Sequence, residues 1–361
     1  MNRDLKVAVI GAGHLGRIHA KLLHQVSGAK LVGVCDQNGA AAESVAQTHG
    51  VPWHTEYRHL IGEIDAAVIA APTDAHAEIA QTLIKAGKHV FVEKPLTNDS
   101  DSARRLALLA AARQVVLQVG HVERFNPAFT ALDQFGVDVK YVEAVRASRF
   151  PGRCLDVGVV MDLMIHDLDL VLSMTSAPLR HLSASGLSVV SDHEDMAEAR
   201  LEFECGLVAN IKASRISPLP AREMVAYSPA GFAQIDFGKP SLTTVSASDA
   251  LVDRSFLLDA ETENPLAYAD QLFSEHLRCD VRELEPRNAI LDELTDFVLS
   301  IQSGSVPMVD GTAGARAVEI ADRILDAIDQ RAWYSYASED QCGPFAIVRQ
   351  RIERTPARRA A

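Results

Sequence analysis

The sequence predicts an α/β protein: a doubly wound parallel sheet at the N-terminus, then an α+β domain with a largely antiparallel open sheet. Three observations carry this. The 361 residues exceed what one hydrophobic core usually serves. Residues 5 to about 120 alternate short β-branched runs with longer helical patterns, as repeated βαβ units do. Beyond about residue 123, strand-like runs follow one another without intervening helices, which implies antiparallel pairing. The expected division is 1–123 for the first domain, 124–335 for the second, and 336–361 for a tail, basic and flexible at its end.

In the first domain the expected strands are KVAVI, KLVGVCD, DAAVIAAP, KHVFVEK and VVLQVG. Each is nearly continuously apolar, as strands covered by helices on both faces are. Amphipathic stretches over 14–27, 74–86 and 100–112 supply helices between them. In the second domain a helix over 159–174 precedes the runs LRHLSASGLSVV, EARLEFEC, LVANIKASR and REMVAYSP. Helices return over 271–279, 286–302 and 311–329, with apolar residues at helical spacing expected to brace the two domains. The last thirteen residues, RQRIERTPARRAA, hold five arginines and one glutamate and read as a solvated tail, with a binding arm as the alternative.

Composition narrows the function classes. With 48% AVILMFWYC and 23% DEKR the chain can bury a sizeable core. A formal charge of -13 argues against nucleic acid as a partner, although a cleft with a few amides and cations can still take a small anion. The longest apolar stretches, 7–13 and 66–72, are far shorter than the roughly 20 residues of a membrane span, so no membrane is expected. MNRDLKVAVIGAG lacks the apolar core of a signal peptide, which points to the cytoplasm. Cys35, Cys154, Cys205, Cys279 and Cys342 are scattered with no C-x-x-C pair, so reduced thiols and no metal site are expected.

Gly11-Ala12-Gly13-His14-Leu15-Gly16 fits G-x-G-x-x-G in its proper context, after the strand KVAVI and opening a helix. Gly11 allows the tight turn, Gly13 lets a pyrophosphate approach the backbone, and Gly16 permits close helix–strand packing. The amides of the helix start, at His14 and Leu15, face the anion. Asp36, twenty residues beyond Gly16, ends the next strand and is placed to bond a ribose 2′-hydroxyl and repel a 2′-phosphate. No lysine or arginine occurs from Leu31 to Tyr57. The first domain therefore reads as a Rossmann domain, and the expected cofactor is NAD, not NADP.

Two further clusters suggest chemistry. Glu93-Lys94-Pro95 sits at the carboxyl end of KHVFVEK, the edge where open α/β sheets bind ligands, and the proline restricts the backbone of Lys94. A solvated strand end is the alternative. Asp162, His166 and Asp169, at i, i+4 and i+7, share one face of a helix that is apolar almost all round. Buried ionisable groups are costly unless paired or facing a cleft, and a histidine there suits proton transfer near neutral pH. A structural histidine held by aspartates is the alternative. His14, His19 and His121 otherwise read as structural.

Over about residues 5–330 the chain resembles the glucose-fructose oxidoreductase and inositol dehydrogenase family. VAVIGAGHLGRIHA, APTDAHAEIA, VFVEKPL and DLMIHDLDL occur in that family's order and spacing. The resemblance implies that Lys94 and His166 contact the reacting carbinol, with Asp162 beside them. It also implies that Pro72, Thr73 and His76 lie by the cofactor, with Glu93 next to the lysine, and that the open C-terminal sheet serves a homo-oligomer, dimer or tetramer. Met164 replaces a glycine common in D-x-G-x-H, which implies an altered pocket floor.

A narrower likeness, carried by GHVERFNPA with DLMIHDLDLVLSM, is to bacterial UDP-N-acetylglucosamine 3-dehydrogenases. It implies oxidation at C3 of a nucleotide sugar, a step toward lipid A or surface polysaccharide. Arg124 and Asn126 then read as ligands of a diphosphate and an N-acetyl or hydroxyl group, with Arg149 and Phe150 offering charge and a stacking surface. A domain-bridging salt bridge is the alternative for either arginine. A free polyol dehydrogenase and a non-catalytic NAD-binding sensor are the competing functional readings.

Overall fold

The computed structural model describes residues 3–133, 138–150, 157–259, 262–331, 333–334 and 341–342. Cys154 and nearly all of the basic tail lie outside the described residues. Cys35, Cys205 and Cys279 are free thiols. No helix among the described residues is long and apolar enough to cross a membrane. The chain divides into two units, Met1–Asn126 with Arg287–Asp322, and Pro127–Pro286 with Arg323–Ala361.

The first unit is built on β1 (Leu5–Ile10), β2 (Ala29–Cys35), β3 (Trp53–His54), β4 (Ala66–Ile69), β5 (His89–Glu93) and β6 (Leu117–Gly120). All neighbours pair in parallel, in the order β3-β2-β1-β4-β5-β6. This is the doubly wound arrangement, with the strand order reversing beside β1. Its first four helices are α1 (His14–Leu23), α2 (Gly39–His49), α3 (Thr73–Lys85) and α4 (Ser100–Arg113). Local chemistry sets their ends: Asn38 and Asp99 cap α2 and α4 by accepting from the amides of Ala41 and Ser102. β3 escapes the sequence reading because two residues carry no periodicity.

One boundary differs from the sequence expectation. Residues 287–322 belong to the first unit, not to the second. Leu294, Phe297 and Val298 of the helix Ala289–Ser303 join Val7, Val9, Leu23 and Phe91 in one buried cluster, with the rings of Phe91 and Phe297 5.9 Å apart. Helical periodicity shows that a face must be buried but not which core receives it.

The second unit holds an eight-stranded sheet in the order β14-β13-β12-β11-β7-β10-β9-β8. The strands are β7 (Tyr141–Ala147), β8 (Leu179–Leu187), β9 (Met196–Phe203), β10 (Val208–Ser214), β11 (Ala221–Ser228), β12 (Gly231–Asp236), β13 (Ser241–Ala247) and β14 (Leu277–Glu283). Only β7 and β10 pair in parallel. β7 alternates buried and exposed residues, the pattern of a sheet with one covered face. The expected helix over 271–279 is corrected: the helix is Pro265–Glu275, and residues 277–283 form β14. Leu277, Cys279 and Val281 alternate with polar residues, a period of two that overrides the preceding helical pattern.

The first unit also buries three ionisable side chains together. His19 of α1 bonds Glu93 of β5 at 2.6 Å, and Glu293 of the helix Ala289–Ser303 lies with them, one oxygen or nitrogen of each falling within 4.8 Å of the others. Burial opposes the charge on Glu93, but the bond and charge of His19, with Lys94 and His76 nearby, hold its carboxyl below the usual range. Burial, together with the charge of Glu93, pushes Glu293 well above its ordinary value of 4.5. A carboxyl raised in the folded state contributes fully below its unfolded pKa, and that contribution is lost as pH rises toward the native pKa. Glu293→Gln keeps the shape and cannot ionise. In urea unfolding at several pH values it is expected to gain on the wild type as pH rises above about 4.5, by up to about 1.4 kcal/mol per pH unit. A pH-independent difference would show that Glu293 carries its charge in the folded state.

Candidate active site

The carboxyl end of β1 leads into the glycine loop. Gly11 has φ +103, and a Cβ there would lie 2.3 Å from the Ala70 carbonyl oxygen. A Cβ on Gly16 would lie 1.8 Å from the Gly11 carbonyl oxygen, so the turn and α1 meet at backbone contact. Nothing lies within 4 Å of the Cβ position of Gly13, which is exposed, and no side chain caps α1. His14 is exposed and Leu15 half-buried at the first turn of the helix.

Asp36 follows β2 and is fixed by two amides: its carboxylate accepts from Ala12 at 2.6 Å and from Asn38 at 2.8 Å. Each carboxylate oxygen has a second lone pair for a ribose hydroxyl. A cavity of about 610 Å³ joins Gly11, Gly13, Asp36 and Pro72, with Thr73 following at the start of α3. An uncapped helix start, an open glycine backbone and a fixed carboxylate at the next strand fit a dinucleotide, with pyrophosphate on the amides and ribose on Asp36.

The cavity also contains residues that the sequence reading missed. Glu56, Arg58 and Glu78 line it with Asp36. The stretch without lysine or arginine ends at Tyr57, one residue short of Arg58, and with β3 only two residues long no local pattern marks the return of this turn to the β2 end.

Lys94 stands half-buried just beyond β5, and the Lys94–Pro95 peptide is cis. Its backbone amide reaches the Glu93 carboxylate at 3.3 Å. Glu93, expected by the cofactor, is buried with its carboxylate bonded to His19. His76 is likewise buried. Its two ring nitrogens lie 2.9 Å from the carbonyl oxygens of Pro95 and Ala71, tying the turn after β5 to that after β4. Burial lowers its pKa, against the pull of those carbonyls. Beyond β6 a short 3₁₀ turn, Val122–Phe125, carries Arg124. Arg124 is half-buried with Nη2 3.4 Å from the Met308 carbonyl oxygen, and Asn126 donates to Glu123 at 3.0 Å.

Asp162, His166, Arg149 and Phe150 belong to the second unit. The expected helix over 159–174 starts as a π turn, Val160–Met164, and continues as Ile165–Ser173. Glu194 caps its start, accepting from Val160 at 3.0 Å, while burial raises its pKa. Asp162 and His166 are both half-buried along this segment, whereas Asp169, expected on the same face, is buried. Beside His166, buried Asp167 receives two bonds from Arg146 of β7, at 3.0 and 2.8 Å, pinning the helix to the sheet. Met164 is fully buried, so the departure from D-x-G-x-H lies in the core. Arg149 is exposed and donates to the Pro218 carbonyl at 3.1 Å, and the Arg215 guanidinium sits 5.4 Å from the Phe150 ring centre.

Known proteins share this fold. Residues 5–121 match the model of the oxidoreductase family with an NAD-binding Rossmann fold, and residues 135–231 match the Gfo/Idh/MocA C-terminal domain. UDP-N-acetylglucosamine 3-dehydrogenase of Acidithiobacillus ferrooxidans is 34% identical over 326 residues, 90% of this chain and 97% of the relative. Its solved structure superposes with a TM-score of 0.79 over the same shares of the two chains. The scyllo-inositol 2-dehydrogenase (NAD(+)) of Bacillus subtilis is 31% identical over 60% of this chain and 69% of the relative. A levoglucosan dehydrogenase in complex with NADH shares the fold at 17% identity, with a TM-score of 0.76 over 90% of this chain and 97% of that one. The chain belongs to the Gfo/Idh/MocA oxidoreductase family and is an NAD-dependent dehydrogenase.

Proposed function

We infer that this dehydrogenase oxidises C3 of the N-acetylglucosamine unit of UDP-N-acetylglucosamine to the 3-keto sugar nucleotide. The observation that carries the reading is the 34% identity to a UDP-N-acetylglucosamine 3-dehydrogenase across 90% of this chain and 97% of that enzyme. Arg124 and Asn126 in GHVERFNPA support it, because a diphosphate needs a cation that a neutral polyol does not. The 3-keto product suits transamination to a 3-amino sugar nucleotide, which places the step in lipid A or surface polysaccharide supply and the enzyme in the cytoplasm.

NAD, when bound, supplies the hydride acceptor. The chain's own residues handle the proton. As C3–H leaves with its electron pair, the hydroxyl proton passes to a ring nitrogen of His166, leaving the ketone. Asp162 tunes that ring. Lys94 holds the same hydroxyl oxygen and lowers the cost of the charge it develops. Glu93 bonds His19 and accepts the Lys94 backbone amide, and Arg146 with Asp167 anchors the helix that carries His166. Arg124 takes the diphosphate, Asn126 the N-acetyl or a hydroxyl group, and Arg149 with Phe150 the nucleoside end.

The assembly we propose is a homodimer or tetramer through the open sheet. Tyr141, Tyr227 and Phe232 support it, forming an aromatic cluster with ring centres 5.9 and 5.2 Å apart in which Tyr227 is exposed.

With NAD and an aminotransferase to draw off the ketone, activity is expected on UDP-N-acetylglucosamine and not on free inositol or glucose. Good turnover of a polyol with none on any nucleotide sugar would overturn the substrate reading in favour of the inositol-type alternative. Arg124→Ala is expected to raise KM for the UDP-sugar about ten- to hundredfold, more than it alters NAD affinity. His166→Asn should lower kcat by about two to four orders of magnitude with NAD binding retained. Near wild-type kcat in both His166→Asn and Lys94→Met would make these residues structural and favour the NAD-binding sensor.

A further inference from the structure

The adenosine end of the cofactor cavity contains a cation, contrary to the reasoning that NADP is refused for want of one. Arg58 lines the same cavity as Asp36. Its guanidinium is held on three sides. Nη1 donates to Glu56 at 3.0 Å, Nη2 donates to Glu78 at 2.5 Å, and the group lies 4.7 Å from the Tyr57 ring centre. The carboxylates are themselves placed: Glu56 also accepts the Arg58 amide at 3.2 Å, and Glu78 also accepts the Tyr57 hydroxyl at 2.9 Å. Against this one cation the cavity wall sets Asp36, Glu56, Asp74 and Glu78.

We propose that Glu56 and Glu78 keep Arg58 neutralised within the cofactor cavity, making them determinants of NAD-over-NADP selectivity that act together with Asp36. A guanidinium is a strong partner for a phosphate dianion because its paired N–H groups match two phosphate oxygens. With one N–H of Nη1 and one of Nη2 each bonded to a carboxylate, the charge of Arg58 is already balanced when a 2′-phosphate enters. The ion pairs are partly exposed and contribute little to stability. Their effect lies in where they hold the cation. Loss of the two carboxyl charges releases Arg58 toward the phosphate, against which only Asp36 and Asp74 of that acidic wall remain.

The inference rests on dinucleotide binding alone, so a direct binding measurement tests it independently of the sugar substrate. NADH and NADPH are titrated against the full chain by nicotinamide fluorescence, and the ratio of their Kd values is read. In Glu56→Gln/Glu78→Gln the NADPH-to-NADH Kd ratio is expected to fall about ten- to hundredfold, the worth of one charge-assisted phosphate contact. Adding Arg58→Met to that pair should restore the ratio, since the released cation is the cause. An unchanged ratio in the double variant, or a fall that persists without Arg58, overturns the proposal. So does a tenfold or greater loss of NADH affinity in Arg58→Met alone, which would make Arg58 a direct adenosine contact. Thermal unfolding accompanies each titration, and the single Glu56→Gln and Glu78→Gln variants, each expected to shift the ratio part of the way, give the same reading if the double variant unfolds.

Discussion

The first unit depends on a contact that only glycine permits. Because the Cβ position of Gly16 lies 1.8 Å from the Gly11 carbonyl oxygen, α1 rests on the turn leaving β1 with backbone against backbone. That seat has two consequences. The start of α1 is left without a side-chain cap, and the next turn of the same helix brings His19 into the core beside β5. There His19 meets Glu93, whose neighbour is Lys94. One close approach thus seats both the glycine loop and the buried His19–Glu93 pair next to Lys94. Glu293 closes this buried group from a helix that returns late in the chain.

The second unit fixes its histidine by other means. Buried charge is costly unless fully bonded, and Arg146 with Asp167 meets that requirement through two parallel hydrogen bonds between β7 and the helix that carries His166. Arg215 and Asp195 form a second such pair, in which Asp195 also accepts the amides of Val189, Val190 and Ser191. Burial opposes the charge on Asp195, yet these donors hold its carboxyl well below the usual range. Charge is therefore used here to set register, with Glu194 capping the π turn at the other end.

An acidic chain that binds an anionic cofactor has to attract it locally. No side chain caps the start of α1, which leaves its amides open to an anion. Around Asp36 the cavity wall is acidic, and its one arginine is engaged by carboxylates.

Features that depend on neighbours in sequence were legible from the start. G-A-G-H-L-G after an apolar strand, with Asp36 at the end of the next one, specifies a turn, a helix start and a carboxylate through local geometry, and the model places each there. The helix over 311–329 and the continuous apolar strands followed from periodicity in the same way. What failed were segments too short or too ambiguous for a period: β3 with two residues, and β14 directly after a helix. The sequence by itself determined the two-part α/β architecture, the dinucleotide loop and the E-K-P and D-x-x-x-H segments, because each is encoded in adjacent residues. Tertiary structure alone decided that helix Ala289–Ser303 joins the first core, that His19 and Glu293 bury beside Glu93, and that Arg58 enters the Asp36 cavity between two carboxylates. Those partners are distant in the chain, and the desolvation and pairing that define their roles exist only once folding brings them together.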